Sequence, residues 1–311
     1  MRAPSQSQSP SIPIAKWRRK RGVLNPTEAQ QLDNFFRSLH DAEAPLLLLD
    51  YDGTLADFRV DRFTAHPWAG VRELLTEIQH DDRTQLRVIT GRPAGEINPL
   101  LQLPSAVEVW GLHGAERLYT DGRRELEEGP SGALAKLDEL RLLLRQNAFG
   151  GLFEDKPNAA VMHWRGLSPH RAKLVEVKTR ELFEPASMID GLSLLPFESG
   201  IELRVGRDKG GAVQSIVEQF DVDTPVVFLG DDLTDESAFR AVNSLNNPHL
   251  SVLVRRALRP TSAAIWLKPP EQLRWFLKQW LRATTVGWSG EPGLAAQENA
   301  GNGLSHHAAQ A

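Results

Sequence analysis

Short apolar runs alternate with helix-length amphipathic segments through most of this 311-residue chain, and no other feature limits the possible fold as strongly. The runs "PLLLL", "QLRVIT", "VEVWG" and "PVVFLG" are strand-length. Between and after them lie "PWAGVRELLTEIQH", "DKGGAVQSIVEQF", "DESAFRAVN" and "PEQLRWFLKQWL", each with helical spacing of its apolar residues. Strand, crossover helix and strand in repetition predict an α/β fold, a doubly wound parallel sheet covered on both faces. The first element, "NPTEAQQLDNFFRSLH", opens with Asn25 as cap, Pro26 in the first turn and Glu28 three residues after the cap, which reads as a capped helix start.

The middle third has a different texture. From about Tyr119 to Val205 there is a turn at Asp121 and Gly122, a long helix "SGALAKLDELRLLLRQN" and an alternating strand segment "LFEDKPNAAVMHWR". A helix around "SPHRAKLVEVKTRELF" and two short strands follow, with Asp190 and Gly191 as a hairpin turn. This predicts a smaller α/β domain inserted in the larger one. The expected organisation is a disordered arm at 1–24, core at 25–118, inserted cap at 119–205, core again at 206–284 and a disordered tail at 285–311. Both ends are polar and too poor in apolar residues to fold alone, and His306 with His307 in the tail is read as incidental.

Composition narrows the class of function. The 36 basic and 40 acidic residues leave a formal charge of -4, which argues against nucleic-acid binding. With no cysteine there is no disulfide, thiol chemistry or cysteine-bound zinc. No apolar run approaches the roughly 20 residues that span a bilayer, and the basic run "KWRRKRG" leads into no apolar signal region. A cytoplasmic monomer acting on a small molecule, with no membrane partner, is the expectation.

In open α/β sheets ligands gather beyond the carboxyl ends of the strands, so charged residues that end apolar runs locate the chemistry. "LLLLDYDGT" ends in Asp50 and Asp52, "LRVIT" in Thr90 with Arg92 behind it, and "PVVFLG" in Asp231, Asp232 and Asp235. Lys209 opens a helix after the insertion. Asp50, Asp52 and Asp231 in one crevice repel one another unless a cation sits among them, and oxygen ligands select Mg²⁺. Asp50, Asp52 through its backbone carbonyl, Asp231 and Asp235 are the expected metal residues. A calcium loop counted from Asp50 fails, because Gly53 stands at position 4 and Asp61 at 12, where Gly is needed at 6 and Glu at 12.

A carboxylate with pKa of about 3.9 is ionised at neutral pH and needs no base to attack phosphorus. Asp50 is then the nucleophile, and Asp52, near another carboxylate, the acid and base for the leaving oxygen and the attacking water. Gly53 and Thr54 offer turn N–H groups to phosphate oxygens, while Thr90 and Lys209 add a hydroxyl and a positive charge.

"DYDGT", Thr90 after its strand, Lys209 and "GDDLTD" stand in the order of the four motifs of the haloacid dehalogenase-like phosphatases, which this chain resembles. "ITGRP", "GLHGAE", "EDKPNAAVMHWR", "IELR" and "GDDLTDESAF" narrow the likeness to trehalose-6-phosphate phosphatases over residues 45 to 282. The resemblance implies a phosphatase that hydrolyses trehalose 6-phosphate through a phosphoaspartate, with the insertion as a mobile cap over the sugar. It also implies substrate contacts from Arg92, His113, Glu154, Lys156, His163, Arg165, Glu202 and Arg204. Val205 after "IELR", where the family often has proline, and "PNAA" at 157–160 depart from its pattern without touching a catalytic position.

Other readings stand beside these. The polar residues of the insertion, spaced two apart, fit a solvated sheet face equally well, and Arg92 can be paired with a surface carboxylate. A phosphatase or phosphomutase for another sugar phosphate, and a phosphoacceptor signalling domain, are the alternatives in function.

Overall fold

The computed structural model describes residues 25–127, 129–146, 151–197 and 199–288. The expectations for 1–24 and for His306 and His307 lie outside these residues. Helix α1 (Pro26–Ser38) begins as its cap predicts: the Asn25 side chain accepts from the Glu28 amide and the Glu28 carboxylate accepts from the Asn25 amide, both at 2.9 Å.

Next come β1 (Leu46–Leu49), α2 (Val71–His80), β2 (Gln85–Ile89), α3 (Ile97–Leu101), β3 (Glu108–Gly111), β4 (Glu116–Leu118) and β5 (Arg124–Leu126). The insertion contributes α4 (Ser131–Gln146), β6 (Phe153–Lys156), β7 (Ala159–His163), α5 (Pro169–Ala186), β8 (Leu192–Phe197) and β9 (Gly200–Val205). The chain returns through α6 (Lys209–Val217), β10 (Val226–Gly230), α7 (Glu236–Asn243), β11 (His249–Val254), β12 (Ile265–Leu267) and α8 (Glu271–Thr285).

The larger sheet has the order β12-β11-β10-β1-β2-β3-β4-β5, parallel up to β3 and antiparallel for β4 and β5. Leu47 and Leu49 pack with Phe36 of α1, Leu75 of α2 and Phe276 of α8, while Leu46 and Leu48 pack with Val213 of α6 and Phe239 of α7. All four leucines are buried, so β1 is apolar at every position because both its faces are covered. Each contributes roughly 1.5–3 kcal/mol. That anchorage fixes Asp50 just beyond the carboxyl end of the central strand.

Two boundaries differ from expectation. The larger sheet does not stop at 118, because the turn at Asp121 and Gly122 folds β5 back onto β4 and extends the sheet to Leu126. At the other end α8 runs through Thr285, and Trp288 packs on Phe36 with ring centroids 4.8 Å apart while its Nε1 donates to Asp33 at 2.6 Å. An indole supplies the apolar area that the polar tail lacks, so the chain stays packed past 284. Among the described residues no helix is long and apolar enough to cross a membrane.

The smaller sheet is antiparallel, in the order β6-β7-β9-β8. Ala160, Met162, Ile201 and Leu203 share a core with Leu137 and Leu140 of α4 and Phe183 of α5. Because side chains alternate along a strand, the register then sends Glu154, Val161 and Glu202 in one row, and Lys156, Ala159 and Arg204 in the next, to the opposite face. That face meets the carboxyl end of the larger sheet: Arg62 reaches Glu154, and His113 reaches Glu202. The solvated-face reading of these residues is thereby replaced by an interdomain one.

Candidate active site

Asp50 and Asp231 follow the neighbouring strands β1 and β10, and Asp235 closes a 3-10 turn (Leu233–Asp235) just after them. One carboxylate oxygen from each of the three lies within 4.8 Å of the others. Lys209 enters from the first turn of α6, with Nζ 2.6 Å from Asp50 Oδ1 and 2.6 Å from Asp235 Oδ1. The other oxygen of Asp235 accepts from the amides of Asp231 and Asp232, each at 2.9 Å. Thr54 donates to Asp50 Oδ2 at 3.1 Å, and buried Thr90 accepts from the Arg92 amide at 3.2 Å. Gly53 has φ of +81°, and a Cβ there would stand 2.1 Å from an Asp231 oxygen, so only glycine allows the turn and the close approach of the two strand ends.

Burial pushes the Asp50 carboxyl up to about 7; Lys209 pulls against that, and Asp235 and Asp52 reinforce it. Asp231 is raised well above the carboxylate range by burial and by Asp50, Asp235 and Asp232. Burial disfavours the charge of Lys209, but Asp235 and Asp50 outweigh it and hold the ammonium protonated. Three buried carboxylates thus face one lysine, with Arg255 4.0 Å from Asp231. A hard divalent cation fits this donor set and would relieve the excess negative charge. Asp235 stands with Asp50 and Asp231 in this set, as expected, and its two oxygens also accept from Lys209 and from the two amides.

Asp52 lies near the Asp50 carboxylate, as expected, and also has a cationic partner that the sequence reading did not assign to it. Arg92 grips it with two parallel bonds of 2.6 Å from Nε and Nη2, and donates through Nη1 to the Arg62 carbonyl at 2.7 Å. This places Arg92 on the neighbouring acid and not on a surface partner; its side chain is only 8% exposed.

The cap brings a second polar layer. Glu202 accepts from Lys156 at 2.9 Å and lies 3.6 Å from His113 Nε2, and burial is outweighed by Lys156 and His113, which hold its carboxyl well below the usual range. His163 Nε2 bonds Glu154 at 2.8 Å and keeps that carboxyl low, while Arg165 stands over the Phe58 ring at 5.1 Å. His113 has a left-handed backbone, φ 58°, and packs so closely on Gly91 that a Cβ there would lie 2.7 Å from its ring. Burial pushes its pKa down to about 4 against the pull of Glu202. Arg204 is fully buried and none of its three guanidinium nitrogens has a hydrogen-bond partner among the described residues.

Two side chains here carried no signal in the sequence. Arg62 bonds Glu96 at 2.6 Å and Glu154 at 3.4 Å, linking the segment after "DYDGT" to α3's approach and to the cap. No motif marks Arg62 or Glu96, and the pairs span 34 and 92 residues.

A parallel sheet with aspartates at two adjacent strand ends, a lysine from the following helix and an inserted cap defines the haloacid dehalogenase-like hydrolases. A hydrolase of that class from B. subtilis shares the fold with a TM-score of 0.53 and 18% identity over 75% of this chain and 98% of its own. Residues 48–269 match the trehalose-phosphatase family model, and the chain belongs to that family. The trehalose-phosphate phosphatase of Mycobacterium marinum is 27% identical over 246 residues, 75% of this chain and 60% of that protein. The chain therefore spans about three fifths of the length of that relative. The C-terminal domain of trehalose-6-phosphate phosphatase from C. albicans has the same fold, with a TM-score of 0.68 and 22% identity over 84% of this chain and 99% of that one.

Proposed function

We propose that this chain is a Mg²⁺-dependent phosphatase that hydrolyses trehalose 6-phosphate to trehalose and phosphate through a phosphoaspartate at Asp50. The observation that carries the reading is the position of Asp50, at the end of the central strand, 2.6 Å from Lys209 and beneath the polar face of the cap. Asp50 attacks phosphorus, the bond from phosphorus to the sugar oxygen breaks, and that oxygen takes a proton from Asp52, which in this step is protonated on one oxygen and keeps its bond from Arg92 on the other. Asp52 then takes a proton from water as the water oxygen attacks the acyl phosphate, the bond to Asp50 breaks and phosphate leaves. Mg²⁺, held by Asp50, Asp231 and the Asp52 carbonyl, would supply charge neutralisation at the phosphate. Asp235 keeps Lys209 and the Asp231 loop in place.

The Thr54 amide, the Thr90 hydroxyl and Lys209 receive the phosphate oxygens, as phosphoryl transfer demands of a preorganised site; the Gly53 amide, expected to join them, donates instead to the Ala56 carbonyl at 2.8 Å and closes the turn. Arg92 acts on Asp52 and only through it on substrate. The sugar lies against His113, Glu154, Lys156, His163, Arg165 and Glu202, where acids and bases together serve hydroxyl groups. Arg204, buried on the same face as Glu202 and two residues along β9, adds positive charge beside it.

The test is phosphate release from a panel of sugar phosphates by the purified chain with Mg²⁺. Trehalose 6-phosphate should be cleaved with the highest kcat/KM. Equal rates across the panel, or transfer between hydroxyls that requires a bisphosphate activator, would replace this reading with the broader phosphatase or the mutase.

A further inference from the structure

Arg62 sits where the core, the cap and the acid-base residue meet, and neither the motifs nor the proposed chemistry uses it. It opens a 3-10 turn (Arg62–Thr64) capped by Asp61, and Tyr51 anchors the far end of that segment by donating to the Ala65 carbonyl at 2.7 Å. The backbone of Arg62 and its side chain face different partners. Its carbonyl accepts from Arg92 Nη1 at 2.7 Å, which leaves the other two nitrogens of Arg92, Nε and Nη2, for the 2.6 Å bonds to Asp52. Its guanidinium lies between Glu96 of the core, at 2.6 Å, and Glu154 of the cap, at 3.4 Å.

We propose that Arg62 is a positioning residue that couples the seating of the cap to the orientation of Asp52. The proposal rests on the phosphatase reading above. With the cap closed, Glu96 and Glu154 hold the guanidinium from two sides and fix the turn. The fixed carbonyl then holds one corner of Arg92, whose other two nitrogens aim the Asp52 carboxyl group. When the cap lifts, Glu154 leaves with it, and the turn keeps only its core contact. The proton donor is thus best aligned over a bound substrate, which disfavours turnover of molecules that do not engage the cap. The Arg62–Glu154 pair is half-exposed and weak, worth at most about fivefold in an equilibrium, so it reports closure and does not drive it.

The expected signature is in kcat. Arg62→Ala should lower kcat on trehalose 6-phosphate about fivefold to tenfold with KM changed less than about twofold, and Arg62→Lys should recover most of the loss. The loss should be smaller on nitrophenyl phosphate, whose leaving group needs little protonation. In a double-mutant cycle with Glu154→Gln, the two kcat effects should fall short of their product, because both substitutions break one link. Independent, multiplicative effects, or an equal kcat loss on both substrates, would overturn the coupling. Failure of the phosphatase reading shows separately, as absence of trehalose 6-phosphate turnover by the unaltered chain in the same assay. Arg62→Gln, which removes the charge and keeps a shorter polar side chain at this exposed position, serves if Arg62→Ala fails to fold.

Discussion

Asp50 is a residue under tension: burial and its carboxylate neighbours oppose its charge, and Lys209 only partly offsets them. Asp50→Asn removes that charge and keeps the shape, so turnover should fall by orders of magnitude while the melting temperature stays level or rises. A variant that melts much lower would show that the ion pair stabilises more than it strains. His113 gives a prediction in pH. Its folded pKa of about 4 lies below the unfolded value of 6.5, so between these limits the unfolded chain binds a proton that the folded chain does not. Stability from this group is complete above pH 6.5 and declines as pH falls towards 4, by roughly 3 kcal/mol if the whole shift is realised. The raised Asp50 and Asp231 slope the other way, so the comparison must be between His113→Asn and the parent chain. Asparagine tolerates the left-handed backbone, and urea unfolding at pH 7 and pH 4.5 should show a smaller acid loss in the variant. An unchanged difference would mean that His113 is charged in the fold. Asp50, Asp52, Thr90, Lys209 and Asp231 were legible in the sequence because each ends an apolar run or opens a helix. Arg62 and Glu96 were not, because a single charge in no motif acquires meaning only from partners that the fold supplies.

At the scale of elements, the cap sheet was legible as a pattern but not as a direction. Period-two spacing put Glu202 with Arg204 and Glu154 with Lys156 on common faces, yet nothing in the spacing said which face met the core. The pairing of β7 with β9, and the apolar residues that α4 and α5 cover, decide it. Strand β5 escaped the reading for a related reason: "REL" is short, polar and exposed, and only its pairing with β4 makes it a strand. The cap residues should choose the substrate. Glu202→Ala leaves Lys156 without its partner and removes an acceptor for sugar hydroxyls, which should cost about 1–3 kcal/mol, or roughly 5- to 150-fold in kcat/KM. The loss on trehalose 6-phosphate should exceed that on a small aryl phosphate by at least about fivefold. Proportional losses on the two would place selection in the core.

Over the whole molecule, the charge excess of the acidic crevice ties metal, stability and activity together. Exhaustive chelation should abolish phosphate release, and returning Mg²⁺ should restore it. The same ion should raise stability, by about 2.7 kcal/mol at a hundredfold excess over its Kd, because it binds the folded crevice and not the open chain. That gain should vanish in Asp231→Asn; a metal-induced gain of equal size in the variant would put the ion elsewhere. The central claim is covalent transfer to Asp50, and its most direct test is a rapid acid quench of the chain with trehalose 6-phosphate and Mg²⁺, followed by mass spectrometry of its peptides. Phosphate should be found on the peptide carrying Asp50 and absent in Asp50→Asn. Steady turnover with phosphate on another residue, or on none at any quench time, would contradict it.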